Sequence, residues 1–299
     1  MDLKLIKLRS GDEKMNCFRM DLKRSIFCKK FIFVVIATYL VLLASTWNEF
    51  QTSTWWGDST GAVGSVNIIS TTLAFDKFKV VIVFFLGGLY TGSYCSDENS
   101  RYLRSIFTRT TLLSYTISRF VVNFIAIMME MLIVFILYIG IGFCAGLPLV
   151  SENIKNLYYG AFAWDHPMIY SIMMALQFGV ITAACSGTGL LLSVYQPNLF
   201  VSVGMCGLVF YAATSYIPTE SIFSILILLS MLPTFPTRLA TPHTLMFLWG
   251  MLYPLTVYAF CAFFFARRLE WRKKHGRYFN ETTFGSRCSF RTSDKKMEP

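Results

Sequence analysis

One charged stretch in this chain has the residue types to bind a partner. Cys95–Thr110, CSDENSRYLRSIFTRT, concentrates acids and arginines in a sequence of which only 15% is charged. We predict a helix here, because Asp97 and Glu98 would fall in a first turn, where the helix dipole favours negative charge. At helical spacing the stretch carries one apolar and one basic face, formed by Leu103, Ile106 and Phe107 and by Arg101, Arg104 and Thr108. Such a helix can dock a protein or lie along lipid headgroups, and its periodicity leaves both possibilities open.

Two polar residues inside apolar runs are the other candidates for chemistry. Glu130 follows Arg119 by about three helical turns, roughly 16 Å, which places it near the middle of a bilayer. A carboxylate at that depth usually faces a bundle interior, a partner or a water-filled path. We therefore predict a candidate translocation path at Glu130 and at Gln177 in a later span. A packing role for Glu130 is equally compatible with the sequence.

The sequence offers no catalytic, nucleotide-binding or metal-binding pattern. It holds no G-x-x-x-x-G-K-[ST] loop for ATP phosphates, no H-E-x-x-H and no Ser/His/Asp set. Its eight cysteines are scattered singly, without the spacing of a zinc site or a disulfide framework. We therefore expect no enzymatic activity in this chain, no metal and no bound cofactor.

The composition indicates which elements position these residues. Hydrophobic residues make up 55% of the 299-residue chain, and the mean hydropathy is +0.52, more than a soluble domain of this size carries. The net charge of +10 comes mainly from basic blocks in residues 1–30, 101–119 and 267–299. These blocks flank alternate loops, as the positive-inside rule requires. We predict a multi-pass membrane protein with both termini in the cytoplasm and no nucleic-acid partner.

The apolar runs predict six membrane helices in an all-α fold. They cover residues 31–47, 76–94, 116–145, 168–194, 199–217 and 245–266. A polar outer loop separates the first two, and Lys79 is expected to snorkel to the outer interface. Residues 221–232 are apolar but too few to cross, which indicates a short re-entrant or interfacial helix on the outer side.

The chain accordingly divides into three segments. Residues 1–30 form a cytoplasmic lead-in, where Phe18, Leu22 and Ile26 recur at helical spacing among basic residues. This pattern predicts an amphipathic helix on an anionic membrane surface, with a solvated basic tail as the alternative. Residues 31–268 form the six-span domain. Residues 269–299 form a basic cytoplasmic tail, partly disordered.

In this order of segments the chain resembles the ABC type-2 permease family, the membrane subunits of many bacterial ABC exporters. The similarity is carried by MDLKRSIFCKKFIF before the first span and by DENSRYLRSIFTRTTLLSYTISRF with its Ser118-Arg119 step. The short outer helix matches as well. The resemblance covers residues 15–268, and it departs from the family at Ser100-Arg101, where relatives usually carry Gly-Thr.

The resemblance implies that the charged stretch is a coupling helix that docks on a separate ATPase. The docking residues that it implies are Asp97, Glu98, Arg101, Leu103, Arg104, Ile106 and Phe107. It also implies two ATPase copies that use ATP and Mg²⁺, and a second permease chain in a homodimer or heterodimer. The expected activity is export of a hydrophobic or peptide-like substrate across a bacterial plasma membrane.

A secondary transporter with Glu130 as its proton or ion carrier is the alternative. It predicts internal repeats and helices broken near mid-membrane, and the sequence shows no repeat. An intramembrane enzyme would need catalytic companions for Glu130 at its own depth, and the sequence offers none.

Overall fold

The computed structural model describes residues 18–55, 64–75, 78–100, 103, 106–107, 110–150, 165–217 and 243–275. These residues form helices and no strand, which confirms the all-α prediction. The helices are α1 (residues 18–26), α2 (Lys29–Trp55), α3 (Ser65–Phe75), α4 (Lys79–Thr91), α5 (Ser93–Asn99), α6 (Leu112–Cys144), α7 (Pro167–Tyr195), α8 (Leu199–Tyr216) and α9 (His243–Lys274).

Within the described ranges, six helical stretches are long and apolar enough to cross a membrane, as the sequence predicts. They are Lys29–Asn48, Lys79–Asn99, Leu112–Cys144, Pro167–Tyr195, Leu199–Tyr216 and Leu248–Lys274. Large apolar side chains on α2, α8 and α9 point outward, which is the arrangement that contact with lipid requires. The chain is therefore a multi-pass membrane protein.

Helix α7 is the centre of the bundle and packs against α3, α4, α5, α6, α8 and α9. Small residues on α7 permit this close packing. A Cβ at Gly187 would lie 2.6 Å from the ring of Tyr258 on α9, and a Cβ at Gly189 would meet the carbonyl oxygen of Ser202 on α8. Gly187 and Gly189 thus allow α7 to approach α9 and α8 closely.

The second crossing differs from its prediction. The sequence assigns residues before position 76 to an outer loop, whereas residues 65–75 form α3, whose apolar side chains are buried against α6 and α7. Backbone hydrogen bonds from Ser65 N to Pro148 O (2.9 Å) and from Val66 N to Leu149 O (3.1 Å) hold its start. The Ser, Thr and Asn residues of SVNIISTTLAF resemble a loop in sequence, but tertiary packing favours the helix. Lys79, expected at the interface, is buried at 6% exposure.

Two other helix boundaries also differ from their predicted positions. Asp97 and Glu98 do not begin a separate loop helix, because α5 starts at Ser93 directly after α4 and places them in its last turn. Helix α9 continues to Lys274, so the first residues of the predicted tail belong to the bundle. The predicted outer helix at 221–232, the side chains of Arg101 and Arg104, and the tail beyond residue 275 lie outside the described residues.

Candidate functional site

Charged side chains collect at the end of the bundle where α2 and α6 begin and α5, α7 and α9 end, which we call the charged end. At its centre lies Arg119 of α6, almost fully buried. Its guanidinium forms ion pairs with Asp97 of α5 and with Asp21 of α1, the latter at 3.4 Å. It also donates a 2.7 Å hydrogen bond to the hydroxyl of Tyr90 and lies 4.9 Å from the ring centre of Tyr115.

Asp97 is the main acceptor in this cluster. Its carboxylate is fully buried and accepts a 2.7 Å hydrogen bond from Arg24 of α1 in addition to the Arg119 pair. The hydroxyl of Tyr115 donates to it at 3.3 Å. A buried carboxylate is tolerated only where opposite charges and donors surround it. Asp97 therefore joins α5 to α1 and α6.

Glu98 forms a second connection from the same helix. Arg272 of α9 binds its two carboxylate oxygens at 3.0 and 3.1 Å. The same guanidinium donates to the hydroxyl of Tyr94 at 3.2 Å and to the carbonyl oxygen of Tyr195 at 3.4 Å. Together the two acids of α5 connect it to α1, α6, α7 and α9.

The apolar face predicted for docking lies against the protein itself. Leu103 is buried, and Ile106 and Phe107 pack against the core cluster that includes Tyr94 and Tyr115. The Phe107 ring meets Tyr115 edge-on, with centroids 5.6 Å apart. Since Asp97 is buried too, it and Leu103 can influence docking only by positioning the segment.

The exposed side chains that the structure describes on and just after α5 are polar. Ser96, Asn99 and Ser100 are exposed on α5 and just after it. Glu98, another predicted docking residue, is occupied by Arg272, although a quarter of its side chain stays accessible. A partner that contacts α5 would therefore meet the small polar side chains of Ser96, Asn99 and Ser100.

Helix α1 is present, as the amphipathic pattern predicts, but polar residues face the bundle. Asp21 and Ser25 are buried, whereas Phe18, Leu22 and Ile26 are half-buried. Ser118 of α6 donates a 2.8 Å hydrogen bond to Asp21. The helix is thus held by the Arg119 cluster, a contact that apolar spacing could not reveal.

Glu130 and Gln177 lie within the bundle at one depth. Helices α6 and α7 are antiparallel, and a Cβ at Gly179 would lie 2.8 Å from the sulfur of Met128, so positions 130 and 177 are level. Both side chains are buried, Glu130 at 0% and Gln177 at 4% exposure. Among the hydrogen bonds of the described residues none joins them. The described helices thus enclose both side chains.

The carboxyl of Glu130 is sparsely hydrogen-bonded. The Thr38 hydroxyl of α2 donates to its Oε1 at 3.2 Å. Its Oε2 has no hydrogen-bond partner among the described residues. A buried oxygen in this condition is rare in proteins and calls for an explanation.

Sequence reasoning missed a third polar group, which joins three helices. Asn123 of α6 donates to Ser186 of α7 at 2.8 Å and to Tyr258 of α9 at 3.2 Å. Tyr258 in turn donates to the carbonyl oxygen of Phe120 at 2.6 Å. An asparagine within an apolar run was the available signal, since a buried amide requires partners.

Within the described residues no three His, Cys, Asp or Glu side chains lie close enough to hold a metal ion. In comparisons with known proteins, no family model, no curated protein and no solved structure matched this chain.

Proposed function

We propose that this chain is the membrane-spanning permease subunit of an ATP-driven ABC exporter. The observation that carries the proposal is the attachment of α5, which lies between the second and third crossings. Its buried Asp97 contacts α1 and α6, and its Glu98 contacts α9. A segment fixed to several helices by ion pairs can pass a displacement from outside the bundle to the crossings themselves.

In this proposal the charged end faces the cytoplasm, where the ATPase subunits bind ATP and Mg²⁺. This orientation agrees with the basic residues Arg272, Lys273 and Lys274 in the last turn of α9. Two ATPase copies and a second permease chain, identical or different, would complete the transporter in a bacterial plasma membrane. Closure of the ATPases would push on α5, and the Arg119 cluster would move α1 and α6 with it.

A hydrophobic or peptide-like substrate fits the apolar grooves of the bundle. The groove between α6 and α9 has a volume of about 450 Å³ and an almost wholly apolar lining. Aromatic side chains dominate it, among them Phe120, Phe124, Tyr258 and Phe263. Such a surface favours apolar over charged cargo.

Copurification with an ATPase tests the proposal. Asn99→Trp places a bulky side chain on the exposed side of α5, and Lys273→Trp is the matched control on the exposed side of α9 at the same end. We expect an ATPase to copurify stoichiometrically with the wild-type chain and with Lys273→Trp, but not with Asn99→Trp. Transport driven by an ion gradient in purified vesicles without any ATPase would overturn the proposal.

A secondary transporter is the second candidate, and one observation favours it. An interruption separates α3, which ends at Phe75, from α4, which begins the second membrane-spanning stretch at Lys79. Lys79 lies about 16 Å along α4 from Tyr90, and Glu130 lies about 16 Å along α6 from Arg119, the hydrogen-bond partner of Tyr90. The interruption is thus level with Glu130, and secondary transporters place their ion sites at such broken helices.

A further inference from the structure

The middle of the bundle contains two opposite charges. Among the described helices, the charged residues are concentrated at the charged end, and Glu49 lies toward the far end of α2. Between these regions the described helices carry only Lys79 of α4 and Glu130 of α6. Both are buried. Charges at this depth are costly and are retained where they have a partner or a task.

Helix geometry places these two residues opposite each other. Tyr90 and Arg119 are joined by a 2.7 Å hydrogen bond across α4 and α6. Lys79 precedes Tyr90 by as many residues as Glu130 follows Arg119, about three full turns. Such a step returns to the same side of a helix within about 20°. Since α4 and α6 run antiparallel in contact, Lys79 and Glu130 lie at one depth, each near the side of its helix that carries the Tyr90–Arg119 contact.

The two side chains do not form an ion pair in this conformation, since none of the ion pairs between described residues joins them. Within the part of the chain that the structure describes, the Thr38 hydroxyl is the one hydrogen-bond partner of Glu130. One hydroxyl and one carboxyl offer too few oxygens for a metal ion, which in proteins takes four or more ligands. A carboxyl that is buried without a counter-charge is neutralised by a proton.

We propose that Glu130 is a proton-binding site in the membrane interior and that Lys79 is its intramolecular counter-charge. The carboxyl holds a proton while the two residues are apart, as here. When α4 and α6 repack so that Lys79 forms an ion pair with Glu130, the O–H bond breaks, its electron pair stays on the carboxylate and the proton passes to water. The proposal goes beyond the exporter and does not depend on ATPase docking. For the secondary transporter, the second candidate function, it selects the proton as the transported ion and names Lys79 as the group that competes with it for Glu130.

Few ionisable groups lie on the described helices that surround Glu130. Helix α2 presents Thr38 to it, and Lys79 of α4 is level with it by helix geometry. Within their described parts, α3 and α7 carry no Asp, Glu, Lys, Arg or His, and the charged residues of α9 that are described lie at the charged end. Asp76 and Lys77, which precede α4 in the sequence, lie outside the described residues.

Infrared spectroscopy of the full chain in lipid nanodiscs tests the proton site. We expect a carbonyl stretching band of a buried protonated carboxyl that is lost in Glu130→Gln and kept in Glu270→Gln, a control at an exposed carboxylate. Thr38→Val should shift this band to higher frequency, because it removes the hydrogen bond to Oε1. The absence of the band from the wild type, or its persistence in Glu130→Gln, would overturn the assignment, as would a band unmoved by Thr38→Val.

Charge reversal tests the role of Lys79. We expect Lys79→Glu and Glu130→Lys each to lose most of the folded yield, because each removes the ion pair of the repacked state and brings two groups of like charge together there. The double variant should recover most of that loss. A double variant as impaired as the worse single one would refute the pairing. ATPase copurification is measured separately, so this failure is distinguishable from failure of the exporter proposal.

Discussion

Asp97→Asn should destabilise the bundle more than any exposed charge change. The substitution keeps the size of the side chain but removes a fully buried negative charge that pairs with Arg119 and Arg24. Removing one partner of a buried pair costs about 3–5 kcal/mol, because the remaining charge stays buried without compensation. Arg119 retains Asp21 at 3.4 Å and its bond to Tyr90. We therefore expect a loss of unfolding free energy at the lower end of this range, about 3 kcal/mol. This corresponds to a roughly 150-fold smaller folded-to-unfolded ratio.

Reversible unfolding of the purified chain in mixed micelles measures this change. Glu270→Gln is the matched control, since Glu270 forms an exposed ion pair with Lys274 and should leave stability unchanged within error. The double variant Asp97→Asn, Arg119→Gln should cost less than the sum of the single variants, because the shared pair is lost only once. A loss below about 1 kcal/mol for Asp97→Asn would refute the reasoning that the pair is buried and essential.

Two further substitutions test the packing around α7. Tyr258→Phe removes a hydroxyl that donates to a backbone carbonyl and accepts from Asn123, so the same unfolding assay should show a loss of about 1–3 kcal/mol. Gly189→Ala places a methyl group against the backbone of α8 at Ser202 and should cost about 1–3 kcal/mol. Gly204→Ala is its control, because a Cβ there meets nothing within 4 Å, and it should be neutral or slightly stabilising. Equal effects of the two glycine substitutions would contradict the close approach of α7 and α8.

The number and nature of the crossings could be predicted from local sequence. Six helical stretches of the described residues are long and apolar enough to cross a membrane, and this property depends on length and composition alone. The prediction from apolar runs was wrong where the composition is ambiguous. In α3, SVNIISTTLAF mixes apolar residues with Ser, Thr and Asn. Its helical state depends on burial against α6 and α7, which no local pattern contains.

The candidate sites were only partly predictable. Sequence alone singled out Glu130, because a carboxylate in an apolar run is conspicuous. The sequence predicted Lys79 at the interface. Its position level with Glu130 depends on how α4 and α6 align through the Arg119–Tyr90 hydrogen bond, which no local pattern contains. The same holds for Asp97, whose place in a charged loop suggested exposure, whereas its partners come from α1 and α6.

The sequence by itself thus determined a six-crossing helical membrane protein, because hydrophobic length and charge distribution are local quantities. The tertiary structure decided which polar groups face one another. Helical periodicity defines the faces of α5 and of the segment carrying Leu103 and Phe107, but not which face the bundle covers. Only the packing of separate helices turns the inward face of that segment into core and leaves Asn99 exposed.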